Sequence, residues 1–203
     1  MSKSTFKQKK KEVEELIKNL PSNKEIADEI LNMQNSSSKV ELKKDIKNSY
    51  YIFLNDTIYL SNSKKAKTTY ARIVLISHEI RHSLQSKKMQ ILNFLLSNIE
   101  IIYFIVMFVL SLLNIHSSIA MYGYIFVFIF AILVRCVLEA DAIYNSIKIS
   151  KSYLNSKIDK KDTDKVISVY KFYISLLIPL MFVSLFAWKF IRMAILFFMT
   201  KAF

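Results

Sequence analysis

The sequence predicts a mostly α-helical membrane protein, with about three transmembrane helices, a cytosolic helical part and one short strand or hairpin. Three observations carry this. Residues 101–134 hold no charged side chain, and a run of that length exceeds the roughly 20 residues one helix needs to cross a bilayer. Hydrophobic residues make up 53% of the chain and the mean hydropathy is +0.27, high for a soluble protein. There is one glycine and there are two prolines in 203 residues, too little punctuation for a β-rich or nucleotide-binding α/β fold.

Charge placement sharpens the class. The formal net charge is +13, and of the 29 Lys and Arg residues 18 fall in residues 1–97 and 7 in residues 137–171. Basic segments on either side of an apolar hairpin match the positive-inside bias of membrane proteins. A nucleic-acid binder has no use for the hairpin, so no nucleic-acid partner is expected, and the basic face is assigned to anionic lipid. Cys136 is the only cysteine, which excludes an intrachain disulfide. The first thirty residues carry no apolar stretch of the kind a cleavable signal needs.

Taken in order, residues 5–20 and 23–33 read as short amphipathic helices broken at Pro21-Ser22, with Ser22 and Glu25 spaced as a capping box. Asn35 to Ser38 reads as a polar loop. Tyr50 to Ser61 is rich in β-branched and aromatic residues around Asn55-Asp56, which predicts a bent strand or hairpin. It is expected to offer an edge against which an extended peptide pairs. From about Lys64 the pattern turns helical. The polar break Asn114 to Ser118 divides the charge-free run into spans at about 98–114 and 119–137. A third is expected from about Phe172 to Trp188, with Trp188 and Lys189 as interfacial anchors. Residues 190–203 read either as an interfacial tail or as a half-helix turning back. The implied division is a basic helical segment at 1–48, a core at 49–155 that includes the hairpin at about 98–137, and a basic loop with a C-terminal span at 156–203. Charge places 1–97 and 137–171 together on the cytosolic side and His116 outside.

Residues 78–82 read His-Glu-Ile-Arg-His. On a helix, positions i and i+4 share one face, so the imidazoles of His78 and His82 can converge on one Zn²⁺. Glu79, between them, is placed to act as general base on a water that the metal has acidified. Ile73, Val74, Leu75 and Ile76 are expected to make a buried approach. Two histidines need a third protein ligand, and Glu100, Cys136, Glu139 and Asp141 are the candidates. Glu100 lies 18 residues past His82, about 27 Å away if the helix continued, so it serves only if the chain turns near Ser86–Lys88. Glu139 follows the second span on the side that holds the histidines, and topology favours it; its plain alternative is an i,i+4 ion pair with Arg135. Asp141, two residues on, points elsewhere on an unbroken helix.

The stretch His78 to Gln85 (HEIRHSLQ) resembles the His-Glu-x-Gly-His-Ala-x-Gln signature of a bacterial membrane family of neutral zinc metallopeptidases. Asn55 to Ser61 is similar to that family's segment of aspartate, apolar strand and Leu-Ser, and Leu138 to Ala142 (LEADA) to its Glu-Phe-Asp-Ala element after a membrane hairpin. The resemblance covers about residues 50–155. It implies a zincin-like, multi-pass cell-membrane endopeptidase with Zn²⁺ on His78, His82 and Glu139, Glu79 as catalytic base, a peptide or membrane-protein substrate, and an active site at the cytosolic face. Arg81 stands where the family has glycine, a cation expected to narrow access or to meet an acidic substrate group. The competing expectation is a non-catalytic helical membrane protein, regulatory or protective, with a degenerate motif.

Overall fold

The structure, a computed structural model, describes residues 3–63, 68–115 and 117–202; His116 lies outside the described residues. The elements in order are α1 (Lys3–Lys18), α2 (Asn23–Met33), β1 (Lys39–Lys43), β2 (Tyr50–Ile52), β3 (Thr57–Ser61), α3 (Arg72–Ser83), α4 (Lys87–Leu112), α5 (Ser118–Asn155) and α6 (Lys160–Ala202). The fold is mostly helical with one small sheet. Contacts group the chain into two compact units, one of residues 1–85 and 140–176, the other of 86–139 and 177–203.

In the first unit the break at Pro21 is as the sequence implies. Ser22 Oγ accepts from the Glu25 amide at 3.3 Å and the Ser22 amide donates to Glu25 Oε2 at 2.7 Å, so both orphan donors at the start of α2 are satisfied. The sheet has order β1-β3-β2, with β1 parallel to β3 and β2 antiparallel to it. Residues 39–43 therefore form a strand, not part of a purely helical segment at 1–48. The reason is visible in Lys-Val-Glu-Leu-Lys, whose period-2 alternation suits an edge strand, with charged residues guarding the outer side. The Tyr50–Ser61 segment is a hairpin, turning where Asp56 takes φ 50°. Its second strand, β3, is buried at every residue and paired on both sides. Only β2 remains an edge within that segment, so the expected peptide-pairing edge shrinks to Tyr50–Ile52.

Helix α3 packs against α2 and the sheet. Ile73, Val74, Ile76 and Ile80 are buried, whereas Leu75 is 48% exposed. The 3.6-residue period explains this departure from the expected buried approach: Leu75 shares its face with His78, Glu79 and His82, the face that is not fully covered. The C-terminal half of α5 closes the unit. Ser150 Oγ donates to Ser77 Oγ at 2.9 Å with both residues fully buried, and Tyr153 Oη donates to Glu29 Oε2 at 2.9 Å.

The second unit is built on the α4–α5 hairpin. Both helices are long and apolar enough to cross a membrane, with only 17% and 28% of their most apolar windows buried. Asn114, at φ 57°, ends α4 in the left-handed conformation that asparagine tolerates, and α5 begins at Ser118. The single glycine, Gly123, sits where Tyr103 crosses. A Cβ there would lie 2.4 Å from Tyr103 Oη, which donates to the Ala120 carbonyl at 2.9 Å. Met107, Tyr124, Phe128 and Leu196 form the core of this unit.

Helix α6 does not stop at Trp188. It runs unbroken to Ala202, so residues 190–202 neither turn back nor lie apart as a tail. Lys189 turns inward: its side chain is 13% exposed and its ammonium sits 2.8 Å from Glu100 Oε2.

Candidate metal centre

Helix α3 carries the motif in its last two turns and ends where Leu84 caps onto the Ile80 and Arg81 carbonyls at 3.1 Å. The chain turns at 84–86 before α4 begins at Lys87. His78 and His82 lie one turn apart with ring planes at 89°, and their Nε2 atoms are 3.2 Å from each other. Tetrahedral zinc, at Zn–N of about 2.0–2.1 Å, holds two ligand nitrogens about 3.3 Å apart. The separation observed fits one shared ion.

The division between the two units falls inside α5, between Glu139 and Ala140, where the helix is unbroken. Among the described residues, His78, His82 and Glu139 form a group in which one ligand atom from each lies within 4.8 Å of the others. Two imidazole nitrogens and one carboxylate, with a fourth position left to water, make a donor set suited to catalytic zinc. The histidines are half-buried and Glu139 is 5% exposed. Glu79 is half-buried on the same face of α3.

Glu139 also makes the plain i,i+4 contact, with Arg135 Nη2 2.6 Å from its Oε1. A carboxylate has two oxygens and roughly four lone-pair sites, so this pairing is compatible with ligation.

Of the other candidates, Cys136 is a free, half-buried thiol and is not in the group. The chain does turn near Ser86, the condition set for Glu100, yet Glu100 serves elsewhere. It is fully buried, accepting from Tyr124 Oη at 3.0 Å, Lys189 Nζ at 2.8 Å, Arg192 Nε at 3.0 Å and Arg192 Nη2 at 2.5 Å. A signal for this was present. Three charges in otherwise apolar helices have to find one another, because an unpaired charge in that setting is very costly.

Arg81 and Asp141 change roles. The Arg81 guanidinium forks Asp141, Nε to Oδ2 at 2.9 Å and Nη2 to Oδ1 at 2.9 Å, so its charge is met within the chain. Asp141 reaches His82 without any break in α5. Gln85 Nε2 donates to Asp141 Oδ2 at 2.9 Å, and Gln85 Oε1 lies 2.9 Å from His82 Nδ1. Sequence reasoning carried Gln85 only as the last residue of the signature the stretch resembles and gave it no role, because i+3 spacing from a histidine is by itself too common to assign one.

No protein-family model, curated protein or solved structure matches the chain.

Proposed function

We propose that this chain is a membrane-bound zinc-dependent endopeptidase, hydrolysing peptide bonds near the cytosolic membrane face. His78, His82 and Glu139 hold the metal and Glu79 is the general base. The single observation that carries the reading is the convergence of three ligand-capable atoms within 4.8 Å on a His-Glu-x-x-His helix. When bound, zinc supplies Lewis acidity towards a peptide carbonyl and lowers the pKa of its water. The histidines present neutral ε nitrogens. Glu79 accepts a proton from the attacking water and hands it to the leaving amine. Tyr50–Ile52 offers a short strand edge to an extended substrate.

The membrane part of the reading rests on the α4–α5 hairpin and on contact grouping. Residues 1–85 and 140–176 form one compact unit, as expected if both lie on the cytosolic side and the hairpin leaves and returns. A third crossing belongs to α6, at a different register from residues 172–188. Glu100 meets Lys189 and Arg192, and Met107 meets Leu196, so α6 runs alongside α4 in the same direction. A span of about 20 residues ending at the hairpin turn covers about 94–113 of α4, and the shared register gives about 183–202 of α6. Trp188, Phe190, Ile191, Phe197 and Phe198 are exposed there, as a lipid-facing surface requires.

A second reading, a non-catalytic membrane protein with a degenerate motif, is favoured by the Arg135–Glu139 pair. Zinc content separates the two. Purified wild-type protein is expected to carry about one zinc per chain. After mild chelation, His78→Ala, His82→Ala and Glu139→Ala lose the metal, while Glu100→Ala retains it. Glu79→Gln keeps zinc and loses peptide hydrolysis, because it removes a proton carrier and not a ligand. Wild-type protein without zinc, or Glu79→Gln cleaving at the wild-type rate, refutes the peptidase reading.

A further inference from the structure

The Asp141 carboxylate is saturated with donors. Oδ2 accepts from Arg81 Nε and Gln85 Nε2, and Oδ1 accepts from Arg81 Nη2 and, at 2.7 Å, from Asn145 Nδ2. A carboxylate in this state is an acceptor only. That fixes the Gln85 amide, which must turn its nitrogen to Asp141 and therefore its oxygen to His82. The oxygen lies 2.9 Å from His82 Nδ1 and cannot donate, so Nδ1 carries the proton. A neutral imidazole protonated on Nδ1 has a bare lone pair on Nε2. This is the nitrogen that faces His78 Nε2 at 3.2 Å.

We propose that Arg81, Asp141 and Gln85 form a hydrogen-bond relay that sets the tautomer of His82, holding its ε nitrogen bare for metal. Arg81 is a positioning residue within it. Its two-pronged hold keeps both Asp141 oxygens accepting, and so keeps the glutamine from flipping. The relay lies wholly within the first unit, on α3, the turn after it, and the second half of α5. An outer partner of this kind on a ligand histidine raises its basicity and fixes its ring, and losing it costs about 10- to 100-fold in metal affinity.

The inference builds on the metal-site reading, but its first measurement does not. Imidazole ¹⁵N shifts of metal-free, histidine-labelled full-length protein in micelles report which nitrogen bears the proton, and three histidines are few enough to assign by single substitution. Wild-type His82 is expected as the Nδ1–H form. Gln85→Leu, which removes the acceptor, should move the proton towards Nε2. Gln85→Glu, which restores an acceptor, should bring it back to Nδ1. Arg81→Gly should give a mixture of the two forms. Zinc affinity, from competition with a chelator, should fall about 10- to 100-fold in Gln85→Leu and recover most of that in Gln85→Glu. A protonated Nε2 on wild-type His82 overturns the relay without any variant having to fold, and so does a tautomer indifferent to Gln85→Leu. The expected tautomer series in a protein that binds no zinc would support the relay and remove the metal reading.

Discussion

Glu100→Gln should destabilise the second unit more than any surface substitution. The carboxylate is fully buried, and Lys189 and Arg192, its partners, are 13% and 20% exposed. Neutralising the glutamate leaves two cations facing each other with little water and no anion. Breaking a buried pair from one side costs about 3–5 kcal/mol, against about 1 kcal/mol or less for an exposed one. The upper part of that range is expected, because two cations lose the same counter-charge. For a chain of this length, about 4–5 kcal/mol corresponds to a midpoint lowered by about 8–20 °C. Trp188, the single tryptophan, precedes Lys189 and is 72% exposed, so its fluorescence reports locally on whether α6 stays docked. Unfolding in mixed micelles with rising denaturing detergent, read at Trp188, gives the comparison. Replacing all three charges together, with Glu100→Leu, Lys189→Met and Arg192→Met, should recover most of the loss, since apolar groups of similar volume often replace a buried ion cluster at no net cost. Glu100→Gln within about 0.5 kcal/mol of wild type would refute the argument, as would a triple variant worse than the single one.

Two further outcomes test the remaining links. With single cysteines at Ser117 and Ser156 in a Cys136→Ser background, an impermeant thiol reagent should label position 117 in intact cells and position 156 only after lysis; the reverse pattern would overturn the membrane orientation. Glu29 should make the first unit acid-sensitive. Hydrogen bonds from Lys157 and then Tyr153 hold its carboxyl below the ordinary glutamate range. A depressed carboxylate contributes stability that is present above its unfolded value, about 4.3, and is lost as pH falls through the lower folded value. Helicity followed below pH 5 should therefore fall less steeply in Glu29→Gln than in wild type, and superimposable curves would remove Glu29 from the acid response.

Local signals determined much of this molecule. The capping box at Ser22 and Glu25, the polar break at Asn114 and the metal-ligand spacing of His78 and His82 are each written within a few residues, so the sequence alone was enough to read them; around Asp56 it left a bent strand and a hairpin open, and the pairing of β2 with β3 chose the hairpin. The nearness of Glu139 to the two histidines was expected by a longer argument, in which charge distribution returns the second span to their side. Strand β1 was legible too in its alternation, yet it was missed beside two helices, because five residues of period 2 weigh little without a partner strand. Tertiary structure decided what depends on which charges meet. The sequence shows that Glu100, Lys189 and Arg192 each need a counter-charge in apolar helices, but the shared register of α4 and α6 decides that they find it in one another, about 90 positions apart. Arg81 likewise reads as an obstruction beside a metal site until Asp141, 60 residues on, is found under its guanidinium. A charge is assigned its role by its nearest counter-charge, and in a chain of long helices that neighbour is chosen by packing.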